Sequence, residues 1–154
     1  MEFNGPSSRL KIALMFLVGL ATIGYGGYSY VEQSSALDSA VEVDATISST
    51  SVETLDAGRG IEYSPRATFN YTYEGEAYTA TNVYPGRLSP EFGTKEKARS
   101  KLEGYEPGDT VTAYVPSDSP GKAFLKHESN DKPLYVMGFG VLFVLTSLYS
   151  FLTN

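Results

Sequence analysis

The chain contains no cysteine, and this absence excludes several classes of protein. Without a thiol there can be no disulfide framework, no cysteine nucleophile and no zinc site built from thiolates. The fold must therefore rest on its apolar core and on whatever anchors the chain. The absence does not identify the compartment, because exported domains can lack disulfides as cytosolic ones do.

Basic charge is also scarce, since 12 Lys and Arg oppose 18 Asp and Glu. Residues 31–133 hold 10 of the basic and 17 of the acidic residues. A surface of this sign repels nucleic acid and anionic lipid headgroups, so we expect no nucleic-acid partner. The same excess of acid is typical of salt-loving organisms, and we expect a haloarchaeal source or a haloarchaeal virus.

Charge is missing altogether from two runs of nineteen residues, 12–30 and 134–152. A helix of nineteen residues is about 28 Å long, which is close to the roughly 30 Å hydrocarbon core of a bilayer. The sequence therefore predicts two transmembrane helices that flank a β domain at 31–133. Short tails, 1–11 and 153–154, complete the chain.

The first run could also be a cleaved signal peptide, because a basic start and an apolar segment are common to both. Its end carries Tyr25, Tyr28 and Tyr30, which suit an interfacial aromatic belt better than a cleavage site. Arg9 and Lys11 precede the run, and no Lys or Arg follows until Arg59. The positive-inside rule then predicts that both termini are cytoplasmic and that the domain lies outside.

Small residues recur within both runs at spacings that place them on one helix face. They are Gly19, Thr22, Gly26 and Ser29 in the first run, and Gly140 and Ser147 in the second. Small residues let helix backbones approach closely, so we predict a hairpin of the two helices. The alternatives are a homo-oligomer formed through the same stripe, or no role beyond the general frequency of glycine in membrane helices.

Between the runs, alternation of apolar and polar residues predicts β-strands. Residues 41–47 form the first strand, and 48–51 should either bulge or extend it. A second strand, 61–73, is followed by a tight turn at Glu74-Gly75, where glycine readily takes a positive φ. The third strand then runs as far as Tyr84.

The rest of the domain contains one helix and two more strands. Thr94 is placed to cap a helix over 95–103, the fourth strand covers 110–115, and a short fifth covers 123–125. This element order is that of a five-stranded OB-type barrel. An SH3-like barrel, or a plain antiparallel sheet with one covering helix, would have nearly the same order.

Polar or breaker-rich segments connect these elements. Residues 31–38 are expected to be a polar connector, 56–60 a turn and 85–93 an irregular loop. Pro65 should lie at a strand start or on an edge, because proline cannot donate to a ladder.

One set of residues carries a family resemblance. It comprises Val43–Ile47, Tyr63–Pro65, Phe69–Tyr73, Gly75, Tyr78, Tyr105–Gly108, Val111, Tyr114–Pro116, Asp118–Pro120 and Ala123–Leu125. As a set they resemble the membrane-tethered family known as domain of unknown function 3592, over residues 12–152. The resemblance implies a small exported β domain between two spans, and it implies no catalytic residues.

Candidate catalytic or metal-binding groups are few. His127 is the single histidine, and beside Glu128 it could bind a metal or act as a base, but a solvated residue in a polar connector is the favoured interpretation. Glu74 and Glu76 flank a hairpin turn, where solvent should leave them with ordinary acidity. We expect no metal, no cofactor and no enzymatic activity.

Aromatic residues are concentrated in two neighbouring strands and could form a stacking platform for single-stranded nucleic acid. They are Phe69, Tyr71, Tyr73, Tyr78 and Tyr84. Alternation places three of them on one face of one strand, so we predict that they fill the core.

Asn70-Tyr71-Thr72 matches the acceptor pattern for N-glycosylation, which has meaning only if the domain is exported.

Three functions agree with this organisation. The leading hypothesis is a non-enzymatic membrane protein that displays an acidic β domain as a structural or interaction module, with the bilayer and a protein or a second copy as partners. The second is a structural membrane protein of a lipid-containing haloarchaeal virus. The third is an accessory or sensor subunit of a membrane complex, although uncharged spans argue against a conduction role of its own.

Overall fold

The computed structural model describes residues 8–56, 58 and 60–153. Features predicted for 1–7, Ala57, Arg59 and Asn154, in the two tails and the turn at 56–60, lie outside these described residues. The elements, in chain order, are α1 (Arg9–Asp38), β1 (Ala40–Asp56), β2 (Ile61–Tyr73), β3 (Glu76–Ala80), α2 (Lys95–Ser100), β4 (Thr110–Pro116) and α3 (Lys132–Thr153).

The chain divides into two compact units. The helical unit consists of the segment that ends at Val31 and the segment that starts at Asp131, and the β domain is Glu32–Asn130. Both α1 and α3 are long and apolar enough to cross a membrane, judged by length and composition. The helix α1 continues through 31–38, which the sequence predicts as a connector.

The β domain is built on an antiparallel sheet with the strand order β3-β2-β1-β4. The first half of β1 pairs with β4, while its second half pairs with β2 alone as a long hairpin. The register shifts between Ile47 and Ser49, so the strand both bulges and extends where the sequence allows either. Pro65 pairs with Val52, outside the part of β2 that β3 covers, and it costs no hydrogen bond to β3.

The turn between β2 and β3 is confirmed. Glu74 and Gly75 have φ values of 50° and 81°, the pair of positive angles that a two-residue hairpin with matching twist requires. The strand β3 ends at Ala80, four residues before the predicted end. Val83 and Tyr84 are buried in the core beyond it.

The sheet has four strands in the described residues, and the prediction of a fifth at 123–125 is wrong. Only Phe124 pairs in strand fashion, antiparallel with Tyr114 and parallel with Asn82. The next two amides, of Leu125 and Lys126, both donate to the Val83 carbonyl at 3.1 and 2.8 Å. Because two successive amides converge on one acceptor, a regular ladder cannot continue there.

The core lies between the sheet, α2 and the segment around Phe124. Its buried members include Ala45, Ile47, Ala67, Phe69, Tyr71, Ala113, Val115 and Leu125. Thr94 caps α2 as predicted, since its hydroxyl accepts from the Lys97 amide at 3.2 Å. The helix is shorter than predicted, but Ala98 and Leu102 are both buried as its spacing requires.

Candidate interaction surfaces

His127 contacts the end of α1. Its Nε2 lies 2.9 Å from the carbonyl oxygen of Leu37, which belongs to the last turn of the helix and has no partner within it. The ring also lies beside Tyr114 and Phe124, at centroid distances of 5.1 and 6.2 Å. The exposed imidazole therefore has a structural partner, and no group of three or more potential ligands among the described residues could hold a metal ion.

The carboxylate pair at the hairpin is exposed. Glu74 is in the turn itself, and the Oε2 of Glu76 accepts a hydrogen bond from the Tyr78 hydroxyl at 2.7 Å. This hydrogen bond is the main reason why the pKa of Tyr78 lies above its usual value. Both carboxylates are exposed to solvent, as expected for residues at the tip of a hairpin.

Three of the five aromatic residues, Phe69, Tyr71 and Tyr84, are buried in the core as predicted. Tyr73 and Tyr78 are half-buried and pack against it, with the Tyr71 and Tyr78 ring centroids 5.6 Å apart in a stacked pair. The Tyr71 hydroxyl donates to the Pro120 carbonyl at 2.6 Å. Burial raises the pKa of Tyr84 to about 12, with smaller effects from Glu128 and Tyr105. The rings therefore form no open stacking platform.

Polar contacts attach the last turns of α1 to the β domain, and we call residues Glu32–Ser39 the docked segment. Gln33 is 2 % exposed and is matched to Asn130. Its Oε1 accepts from the Asn130 side-chain and backbone nitrogens at 2.7 and 3.2 Å, and its Nε2 donates to the Asn130 carbonyl at 3.1 Å. The oxygen and the nitrogen of this buried amide thus both have hydrogen-bond partners.

Further contacts hold both ends of the docked segment. Glu32 forms an ion pair with Arg87 at 2.9 Å. Ser35 and Ser39 each donate to a different oxygen of Asp118 at 3.4 Å. Sequence reasoning missed this surface, because each partner lies more than fifty residues away along the chain.

In the helical unit, the structure brings together Gly19 and Gly140 of the predicted packing residues, and it places Gly26 against Met137. A Cβ on Gly140 would lie 2.6 Å from Ile23 Cγ1 and 2.8 Å from the Gly19 carbonyl oxygen, and one on Gly26 would lie 2.7 Å from Met137 Cγ. Such distances are shorter than real Cβ contacts, so glycine is required for this approach. That these residues hold the pair together stays a prediction.

The hydroxyl residues of the same stripe bond within their own helices. Ser29 and Ser147 are buried and donate to the carbonyls of Tyr25 and Phe143, four residues earlier, at 2.8 and 2.7 Å. Thr22 donates in the same way to Val18 at 2.8 Å. These side chains are small and internally satisfied, so they allow close approach without forming hydrogen bonds between the helices.

A concave polar face lies on the side of the sheet away from the core. Most of its lining residues have short side chains and belong to β1, β2 and β3, namely Asp44, Thr46, Asn70, Thr72, Ala77 and Thr79, and Tyr71 and Tyr78 complete the lining. Asn70, the predicted glycosylation acceptor, is exposed at its centre. Its Oδ1 accepts from the Thr79 hydroxyl at 2.6 Å.

Comparison with known protein families identifies a match. Residues 43–130, which include most of β1 and all of β2, β3, α2 and β4, match the family described as Domain of unknown function (DUF3592). The match covers more than half of the chain. No curated protein matches the chain.

Proposed function

The chain belongs to the family of domain of unknown function 3592, and we propose that it is a two-span membrane protein that presents its acidic β domain as a structural or interaction module. In this proposal the domain lies outside, both termini are cytoplasmic, and the protein has no enzymatic activity. The helices α1 and α3 flank the family domain on both sides, which supports anchoring at each end.

The observation that carries the proposal is the outward orientation of large apolar side chains in the helical unit. Leu14, Leu142 and Phe151 are each about 60 % exposed, at 61, 60 and 63 %. Apolar surface repeated along two helices is unfavourable in water, whereas lipid tails solvate it and the helices satisfy their own backbone groups. A bilayer is the environment that suits this surface.

We also propose that the β domain is a barrel of the OB type, closed by Phe124. This residue pairs with Tyr114 of β4 and with Asn82 just after β3, so it bridges the two outer strands of the sheet. Phe124 pairs in parallel with Asn82 and in antiparallel with Tyr114. These two pairings support a closed barrel in which the segment around Phe124 takes the place of a fifth strand.

The absence of enzymatic activity is supported by the structural roles of the polar groups. Burial is the main cause that raises the pKa values of Tyr84 and Tyr105, and His127 contacts a helix end. In a catalytic site, groups with shifted pKa values would instead lie close together in a cleft. A partner is then bound through the exposed acidic surface, and it is either another protein or a second copy of this chain.

Membrane anchoring and orientation are tested by extraction and by labelling. The full chain should stay in the pellet after carbonate washing. Because the protein lacks cysteine, Glu96→Cys and Thr153→Cys provide single labelling sites in the domain and at the C-terminal end of α3. An impermeant maleimide should label the first from outside intact cells and the second only after lysis. Extraction of the chain by carbonate, or the reverse labelling, would overturn the proposal.

The interaction role is tested by cross-linking in intact cells followed by purification in mild detergent. We expect a reproducible complex with one protein or with a second copy. Recovery of the chain alone as a monomer, under conditions that preserve other membrane complexes, would contradict a role as an interaction module.

A further inference from the structure

The acceptor triplet Asn70-Tyr71-Thr72 occupies the middle of β2, and its two polar residues lie on the concave polar face. Residues two apart in a strand point to the same side of the sheet. Asn70 and Thr72 are both exposed, while Tyr71 between them is 4 % exposed and lies in the core. The fold therefore presents the amide and the hydroxyl of the pattern together and hides the residue that the pattern leaves free.

Hydrogen bonding orients the Asn70 amide. Its Oδ1 accepts from the hydroxyl of Thr79, its cross-strand neighbour on β3, at 2.6 Å. Because oxygen and nitrogen of a planar amide point in different directions, this bond turns Nδ2 away from Thr79. Among the described residues Nδ2 donates no hydrogen bond, and Asn70 is exposed, so the nitrogen is accessible at the surface.

The neighbours of Asn70 leave room for a large substituent. On one side it pairs with Thr46 of β1 and on the other with Thr79. Thr72 and Ala77 continue the same floor of short side chains. A sugar attached to Nδ2 would meet hydroxyl and methyl groups, with which its ring can form hydrogen bonds and apolar contacts.

We propose that Asn70 is an N-glycosylation site. The donor is an oligosaccharide linked through its anomeric carbon to a lipid phosphate or diphosphate, supplied in the membrane by the cell's own transferase. The amide Nδ2 forms a bond to that carbon and loses one proton to a base of the transferase. The carbon–oxygen bond to the lipid phosphate breaks, and the phosphate leaves with the electron pair.

The proposal rests on the proposed function, because the donor and the transferase act on exported chains. The proposal also gives the concave polar face a role, because this face would carry the glycan. A glycan at its centre would cover the short polar side chains of β1, β2 and β3, so a protein partner would have to bind elsewhere on the domain.

The experiment uses the full chain, expressed in a host that N-glycosylates exported proteins, with intact mass and peptide mass spectrometry as the readout. Thr72→Ser keeps the acceptor pattern, whereas Thr72→Val removes the hydroxyl while keeping a β-branched side chain suited to a strand. We expect an added oligosaccharide on the Asn70 peptide in the unaltered chain and in Thr72→Ser. We expect none in Thr72→Val or in Asn70→Gln.

The labelling of Glu96→Cys is carried out on the same cells, so that two kinds of failure are distinguishable. An unmodified Asn70 in a chain whose domain is labelled from outside overturns the glycosylation site and leaves the proposed topology standing. An unmodified Asn70 in a chain that is not labelled from outside overturns both. Modification that persists in Thr72→Val contradicts the role of the Thr72 hydroxyl.

Discussion

The two units place large and small side chains in opposite positions. In the helical unit the buried residues include glycine and serine, and long apolar side chains face outward; examples are Gly140, Ser29, Ser147 and Ser150 inside and Leu14, Leu17, Leu142 and Phe151 outside. In the β domain the largest fully buried side chains include Phe69, Phe124, Ile47 and Val115. Within one chain, the helical unit buries mainly small side chains, whereas the β domain also buries large aromatic and aliphatic ones.

The proposed membrane anchoring explains this difference, because it places the two units in two different solvents. In water, burial of apolar area stabilises a domain by about 25 cal/mol per Å². In a bilayer the lipid tails are as apolar as leucine, so helices associate through close backbone approach instead. The β domain should therefore be most sensitive to loss of side-chain volume, and the helical unit to its gain.

The largest effect should follow loss of volume in the β domain. Phe69→Ala removes a side chain with no exposed area from the centre of the core, and we expect a loss of about 3–5 kcal/mol in the free energy of unfolding. Urea unfolding of the full chain in detergent, followed by the near-UV circular dichroism of the tyrosines, measures it. Phe143→Ala in α3 is the matched control, because Phe143 is exposed and its ring lies in the other unit. An equal loss from both variants would contradict the contrast.

Gain of side-chain volume should destabilise the packing of α1 against α3 in the helical unit by about 1–3 kcal/mol of free energy. Gly140→Leu places atoms where Ile23 and the Gly19 carbonyl already lie, whereas a Cβ on Gly138 of the same helix meets nothing within 4 Å. With spin labels at Leu10→Cys and Leu152→Cys, pulsed electron resonance should show a longer or broader distance distribution for Gly140→Leu. Gly138→Leu should leave it unchanged. Identical distance distributions for the two variants would show that glycine is not needed for the packing of these helices.

Local patterns in the sequence were sufficient to predict much of this architecture. Uncharged runs indicate the long helices, alternation indicates β1, β2 and β4, and Glu74-Gly75 and Thr94 mark a hairpin and a helix cap. Each of these signals depends on residues close together in the chain. The family resemblance is confirmed for the same reason, since its residues are those of the strands and turns.

What could not be predicted depends on distant partners. Glu32–Ser39 has an ordinary polar composition, and only contacts with Arg87, Asp118 and Asn130 distinguish it from a connector. The segment at 123–125 has the composition of a strand, but the amides of Leu125 and of Lys126, the residue after it, both donate to the Val83 carbonyl. The concave polar face likewise depends on the register of three strands, which no local pattern specifies.

Alkaline pH should lower the free energy of unfolding of the β domain by on the order of 2 kcal/mol, because Tyr84 loses its proton. Burial raises the pKa of Tyr84 from 10.0 to about 12 in the folded protein, so the unfolded chain loses this proton first. The stabilisation from the neutral phenol is complete below pH 10 and is lost as the pH rises towards 12. Tyr84→Phe keeps the ring and should reduce the loss of stability between pH 9 and pH 11.5, measured by urea unfolding. An unchanged pH dependence would show that other tyrosines account for it.

The smallest effect tests where the β domain begins. Gln33 lies in the same continuous helix as the apolar run, yet its hydrogen bonds with Asn130 assign it to the domain. Gln33→Ala leaves the half-buried donors and acceptor of Asn130 without these partners, and we expect the free energy of unfolding of the domain to fall by about 1–2 kcal/mol. Ser34→Ala, one residue further on, should change it by less than about 0.5 kcal/mol. Equal losses in the free energy of unfolding for the two variants would show that the docked segment is only a connector and that the domain begins at β1.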